Sequence, residues 1–404
     1  MKNIRFILFL LPLLVFFVAS CASTPDVGVE TYYVRADGDD RNDGISEETP
    51  FRSLFKALVM ASRGPARVIT LLGTLDLASE QSANAERVFI IQGTGRAEIT
   101  IRGRELPAGA ADRAVLSGRE AGRRVILVRG FSNIRFEHVE ISGGRSSGEG
   151  GGIGIGSGAV VTLGPGTVVR DNRSETVGGG AALAPGAVLV IAGGTVVTNS
   201  AAGVGGGVAA VGRGSSFTLE SGEIRENQAE AGGGAAIYEG CAFRFLGGAI
   251  ENNRAAVAGG GLVLNRSASM RMEGGRIGGN SSRSGGGLAL IEHCGFTMSG
   301  GEIRNNRADE YGGGIASDNT SSVIMEGGVL GGNSAASRGG GMFIAGPFSK
   351  SAGVIWGSNA SGEDANRAES GAALFLPGGV SRETTLGEGE TVGGPAAAPE
   401  GETE

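Results

Sequence analysis

The chain has 404 residues, of which 77 are Gly, 11 are Pro and 3 are Cys, with 40% hydrophobic and 19% charged residues and a formal charge of -7. So much glycine without a G-X-Y period and with little proline excludes collagen and low-complexity disorder, and the length exceeds one compact core, so two domains or an elongated repeat is expected. The acidic balance, with no basic block beyond the N-terminus, argues against a nucleic-acid partner, because phosphate contacts need clustered Lys and Arg.

Lys2 and Arg5 precede an apolar run over residues 6–19, broken by Pro12, and Val18-Ala19-Ser20-Cys21 follows at its end. The run is too short to span a bilayer, and the order basic, apolar, small is that of a cleavable signal. Its last four residues resemble a bacterial lipobox, whose cysteine carries lipid and becomes the mature N-terminus. That resemblance implies a lipoprotein signal peptide over residues 1–20, lipid attachment at Cys21 and a lipidated linker over 21–30. Ala22, where inner-membrane retention in enterobacterial lipoproteins uses Asp, implies the outer membrane. The expected location is the cell envelope, with the membrane as a partner through the lipid.

Residues 31–66 are expected to form an N-terminal cap. Phe51, Leu54, Phe55 and Leu58 stand at helical spacing and predict a short amphipathic helix that plugs the open end of whatever follows. Asp37, Asp39 and Asp43, with Gly38 and Gly44, are a calcium candidate, but they lack the one-three-five spacing and distal Glu of a calcium loop, and a tight turn is the competing reading. No cofactor is called for elsewhere. Residues 67–142 carry strand-like apolar runs at 68–72, 88–91, 99–101, 125–128 and 134–141, separated by irregular loops.

A regular repeat occupies residues 143–385. Asn172, Asn199, Asn227, Asn253, Asn280, Asn306, Asn333 and Asn359 are spaced 27, 28, 26, 27, 26, 27 and 26 apart. A glycine triplet follows most of them, as at 178–180, 205–207, 232–234 and 259–261. Aligning the units gives apolar columns: Val196, Ile224, Ile250, Ile277, Ile303 and Leu330; Ile191, Leu219, Phe245, Met272, Met298 and Met325; Leu189, Phe217, Phe243, Met270, Phe296 and Val323. The last two alternate with polar residues at period two, as half-buried strands do, and the glycine runs forbid helices. One unit cannot bury its inner face alone, so units must stack, each strand pairing with its equivalent at about 4.8 Å. The fold class is therefore all-β, a right-handed parallel β-helix with coils of about 27 residues. The repeated Asn is expected to occupy a left-handed turn and to bond its equivalents in a ladder. Residues 386–404, rich in Gly, Glu, Pro and Ala, read as a disordered acidic tail.

Two stretches resemble known families. The run Tyr33-Val34-Arg35-Ala36-Asp37-Gly38-Asp39-Asp40-Arg41-Asn42-Asp43-Gly44, followed by Thr49-Pro50-Phe51-Arg52-Ser53-Leu54, is similar to the opening of many bacterial right-handed β-helix repeat proteins. Gly247-Gly248-Ala249-Ile250 and Gly312-Gly313-Gly314-Ile315, with Ile303-Arg304-Asn305-Asn306, resemble the short motifs of chlamydial polymorphic outer-membrane proteins, which implies surface exposure and adhesion. The chain departs from that family by carrying Ile where its second motif has Phe, and an acidic tail in place of a membrane barrel. Together the resemblances cover roughly residues 30–385.

Chemistry is sparse. Pectate lyases and polygalacturonases share this fold but need calcium carboxylates beside a base, or clustered Asp with His. The repeat region holds Asp171, Asp309, Asp318 and Asp364, which do not stack. His138 and His293 read as surface or packing residues. Cys241 and Cys294 fall in one column two coils apart, about 9.6 Å at ~4.8 Å per coil, too far for a disulfide, so both are expected as free core substitutes. The outward columns hold Glu220, Leu246, Glu273, Ser299 and Glu326, and Thr218, Arg244, Arg271, Thr297 and Ile324. Glu220 and Glu273 lie at the edge of the carboxylate separation of an inverting glycosidase. Two functions follow: a non-catalytic envelope rod for adhesion, glycan binding or envelope structure, or a polysaccharide lyase or hydrolase using Glu220, Arg244, Arg271 and Glu273, or the loops at 103–124. A groove made by the segments 103–124 and 345–370 would favour the enzyme. Oligomeric state is left open.

Overall fold

The alternating columns become the strands of a right-handed parallel β-helix in a computed structural model that describes residues 31–64, 67–76, 89–105, 113–119, 122–357, 364–377, 382–384 and 392–393. The expected signal peptide over residues 1–20, Cys21 and the expected linker over 21–30 lie outside these residues. Three sheets of 20, 12 and 8 strands run along the axis, and every strand pair is parallel. One coil shows the plan. Gln228–Ala231 lies in the third sheet, Ala235–Tyr238 in the second, and Ala242–Phe245 and Ala249–Glu251 in the first.

Registers follow the sequence columns. Phe217 pairs with Phe243, Phe243 with Met270, and Met270 with Phe296. Ile224, Ile250, Ile277 and Ile303 likewise stack and are fully buried. The Phe217 and Phe243 rings stack at 4.6 Å. Each such side chain contributes roughly 1.5–3 kcal/mol of burial, but only because an equivalent lies above and below it. Cys241 and Cys294 are buried free thiols in a column of small residues with Ser215, Ala268 and Ser321. The Cys241 Sγ donates to Gly212 O at 2.8 Å.

The asparagines are buried, and each fills its hydrogen-bonding capacity. Asn253 Nδ2 donates to Asn280 Oδ1 at 3.0 Å and to Ile224 O at 2.9 Å, while its Oδ1 accepts from the Asn227 backbone N–H and Nδ2, each at 3.0 Å. The same pattern runs from Asn172 to Asn333. Two expectations about this ladder need correction. The left-handed residue is the one before each ladder Asn: Asp171, Thr198, Glu226, Asn252, Gly279, Asn305 and Gly332 have φ of +54° to +65°. This inward Asn can bond along the axis because the preceding residue makes the turn. The rung above Asn333 is Asn366, whose Oδ1 accepts from Asn333 Nδ2 at 3.1 Å. The step from Asn333 to Asn366 is 33 residues, longer than the steps between the earlier rungs; Asn359, the expected rung, lies outside the described residues.

The glycine triplets follow from close stacking. Gly259 has φ +64°, where a side chain is strained. A Cβ on Gly260 would collide with the carbonyl oxygens of Ser281 and Gly286, and one on Gly261 would sit 2.8 Å from Gly287 O. Backbone bonds such as Gly259 N to Ser284 O at 3.0 Å and Gly260 N to Gly285 O at 3.1 Å use that proximity.

At the N-terminal end, Thr31–Val34 already pairs with Val68–Leu71, and α1 (Leu54–Arg63) packs beside them. Ser53 caps α1 by accepting from the Lys56 N–H. The inward stripe is Leu54, Ala57, Leu58 and Ala61, whereas Phe55 is 65% exposed. Phe55 follows Leu54 by one residue, a 100° rotation that carries it off the stripe, and Phe51 precedes the helix, buried in a bridge to Val34. At the other end, Arg382–Thr384 pairs with residues 348–350 and Val392–Gly393 with residues 374–375. Within the stretch expected as an acidic tail, only Val392–Gly393 is described, as a short extended segment; the rest of residues 386–404 lies outside the described residues.

Candidate functional site

The outward face of the first sheet brings together three of the four residues singled out for catalysis. Arg244 and Arg271 are register partners on adjacent coils. Arg244 Nη2 lies 3.1 Å from Glu273 Oε1, Arg271 Nε lies 3.7 Å from the same oxygen, and Arg271 Nη2 lies 3.5 Å from Glu326 Oε2. Glu220 is exposed one strand further on and belongs to none of these ion pairs. The groups are half-exposed, so each pair contributes at most about 1 kcal/mol. Two guanidiniums occupy the Glu273 oxygen that a substrate would have to meet. Among the described residues of the segment 345–370, none is seen to arch over this face: Phe348–Ile355 continues the first sheet, and Asp364 ion-pairs with Arg304.

The N-terminal acidic run is consumed by local contacts. Asp37 pairs with Arg35 and Asp39 with Arg41, each at 2.5 Å, and Asp43 Oδ1 accepts from Thr49 Oγ1 at 2.7 Å. Hydrogen bonding from the Arg41 side chain and backbone lowers the Asp39 pKa to about 2. Asp40, which the sequence reading passed over, ties the loop to the helix by accepting from Arg52 N, Ser53 N and Ser53 Oγ. Among the described residues no group of three His, Cys, Asp or Glu side chains is gathered for a metal.

His293 is exposed in a left-handed turn with Glu292, φ +64° and +58°, and its backbone N–H donates to Thr320 Oγ1 at 2.9 Å. Asp318 supports this turn. Burial opposes its charge, but hydrogen bonds from the Glu292 N–H and from Ser321 and Thr320 outweigh that and hold it below the usual carboxylate range. His138 also has a positive φ, +53°, at the corner between Ser132–Glu137 and Val139–Ser142.

A cavity of about 730 Å³ lies elsewhere, on the second and third sheets near the N-terminal end. It is lined by Arg123, Arg124, Arg129, Arg145, Ser146, Ser147, Gly122, Gly148, Gly156 and Leu127. The segment 103–124 therefore does contribute to a concave surface through its last residues, but away from Glu220 and Glu273. Ile126–Arg129 supplies Leu127 and Arg129, and Arg145–Ser146 supplies one wall. Gly154, in register with Leu127, makes room for Arg124: a Cβ there would meet its guanidinium. The sequence signal for this site is the excess of Arg over acidic residues between 119 and 145, which the overall acidic charge conceals.

The fold and these surfaces define a β-helix rod. No protein-family model, curated protein or solved structure matches the chain.

Proposed function

We propose that the protein is a non-catalytic rod of the cell envelope, anchored through lipid on Cys21, that presents its long faces for adhesion or glycan contact. The observation that carries this reading is the pairing of Glu273 with both Arg244 and Arg271, which leaves Glu220 alone of the four candidates outside these ion pairs and no free base beside it. The order of residues 2–21 supports the anchor. Labelled palmitate should enter the wild-type chain and not Cys21→Ser, which should leave the membrane fraction; a labelled, membrane-bound Cys21→Ser chain would sink the anchor. Mass spectrometry of acidic and neutral polysaccharides after incubation, with and without calcium, should show unchanged chain length. Shortening that disappears in Glu273→Gln would establish the lyase or hydrolase instead.

A further inference from the structure

The capped N-terminal end of the rod exposes two large apolar side chains that packing does not explain. We infer that this end rests on a phospholipid bilayer, with Ile45 and Phe55 entering its interfacial layer, so that the rod stands on end. This assignment deepens the proposed anchoring through Cys21 and rests on it.

The hydrogen bonds place both residues at the tip. Thr31–Val34 pairs along one edge with Val68–Leu71. Its other edge is closed by the segment 44–51: Tyr33 N donates to Gly44 O at 2.7 Å, and Phe51 N donates to Tyr33 O at 2.9 Å. Hydrogen bonds between coils run along the axis of a β-helix, so Gly44, Ile45 and Phe51 lie beyond the first strand, at the end of the stack. Helix α1 closes the same end, with Leu54, Ala57, Leu58 and Ala61 turned to the core. Its opposite face carries Phe55 and, one turn on, the half-buried Val59.

Ile45 is 61% exposed and Phe55 65%. The other large hydrophobics that stand exposed among the described residues are Phe131, Val257 and Ile324, each alone on a different coil along the sides. The tip is therefore where two of them share one end. It is also where the tether enters. Ten residue steps separate Cys21 from Thr31, a reach of at most about 35 Å at ~3.3–3.6 Å per step, and Thr31 begins the terminal strand itself. A tether of that length makes the second contact intramolecular, so even a weak apolar contact is populated. Net charge supplies no attraction, because residues 31–64 hold five basic and six acidic side chains. The contact is apolar and insensitive to salt.

Apolar side chains at a membrane surface enter to about 5–10 Å. Phe131 immediately precedes Ser132–Glu137, which is three strand steps from Thr31–Val34, about 14 Å at ~4.8 Å per step. An upright rod keeps it in water.

The test uses the full chain with a tryptophan added by Phe55→Trp or by Phe131→Trp, both exposed positions; circular dichroism confirms that each variant keeps the fold. The wild-type chain has one tryptophan, Trp356 near the opposite end, and supplies the background. Each chain is reconstituted with phosphatidylcholine vesicles whose acyl chains are brominated near the headgroup. The emission added by Phe55→Trp should be quenched and shifted to shorter wavelength, that added by Phe131→Trp should be neither, and high salt or added phosphatidylglycerol should change nothing. The assignment is overturned if the Phe55→Trp emission is unquenched, if the Phe131→Trp emission is quenched as strongly, as for a rod lying on its side, or if the quenching vanishes in high salt. A blue shift of Phe55→Trp without lipid, with a doubled mass in sedimentation, would overturn it in favour of a second copy seated cap to cap. Palmitate labelling reads the anchor separately: an unlabelled chain still quenched at position 55 sinks the anchor and keeps the contact, whereas a labelled chain unquenched there keeps the anchor and sinks the contact.

Discussion

Replacing Asn253 by Ala probes the ladder at an interior rung. The side chain is 1% exposed, and its removal strands the Asn227 backbone N–H, which donates to it at 3.0 Å, together with one Asn227 amide hydrogen, and takes a donor from Ile224 O. At about 1–3 kcal/mol for each of these three buried groups left unpaired, the loss should be about 3–9 kcal/mol. Guanidinium unfolding gives the total, and hydrogen exchange at the Asn227 amide localises it. Asn253→Asp adds a pH signature. Its second oxygen would face two acceptors, Ile224 O and Asn280 Oδ1, where Nδ2 now donates. Burial and these acceptors raise the folded-state pKa above the unfolded value of about 3.9. Stability is then fullest below the unfolded pKa and is lost as pH rises through the folded one, so this variant should approach wild type near pH 4 and fall away from it by pH 7. A loss under about 1 kcal/mol for Asn253→Ala, against the unpaired-group cost, or an Asp variant that weakens relative to wild type on acidification, would refute the account of the ladder.

Gly260→Ala should prevent folding or lower stability by several kcal/mol, about the tail of single-substitution effects, since its Cβ meets two carbonyls of the next coil. Gly240→Ala, with open space but φ +73°, should cost only about 1–2 kcal/mol; thermal unfolding compares them, and equal losses would contradict the stacking argument. Cys241 and Cys294 should resist a thiol reagent in the folded protein and both react after denaturation, the more so as burial pushes the Cys294 thiol up. Carbon NMR should show Asp39 charged down to pH about 2; its contribution to the N-terminal loop is present above the unfolded pKa and lost as pH falls through the folded one, and Arg41→Gln should move the titration upward.

The sequence made the first sheet legible because inward positions such as Phe217, Phe243, Met270 and Phe296 repeat the same chemistry in the same register. The turn before each ladder Asn was not legible. Asp171, Thr198, Glu226 and Asn252 share one backbone conformation but no side-chain chemistry, since the side chain there faces solvent. Asn366 was hidden for a related reason: a coil is fixed by where its strands pair, not by its length, so added residues in a loop shift the count without shifting the rung. The paired charges around Glu273 were readable as columns. The arginine cavity was not, because Arg123, Arg129 and Arg145 meet only through the stacking of coils of unequal length.

The asparagine row also has a direction. Each Nδ2 points its proton toward the C-terminal neighbour, from Asn172 through Asn333, and the row is terminated at one end by the Gly144 N–H on Asn172 Oδ1 and at the other by the Trp356 carbonyl accepting from Asn366 Nδ2. Turning one amide over would set nitrogen against nitrogen on one side and oxygen against oxygen on the other, so the eight side chains share a single orientation. The rod's interior thus carries a line of aligned dipoles parallel to its axis, and its two ends are electrically unlike even where their sheets are built from the same strands.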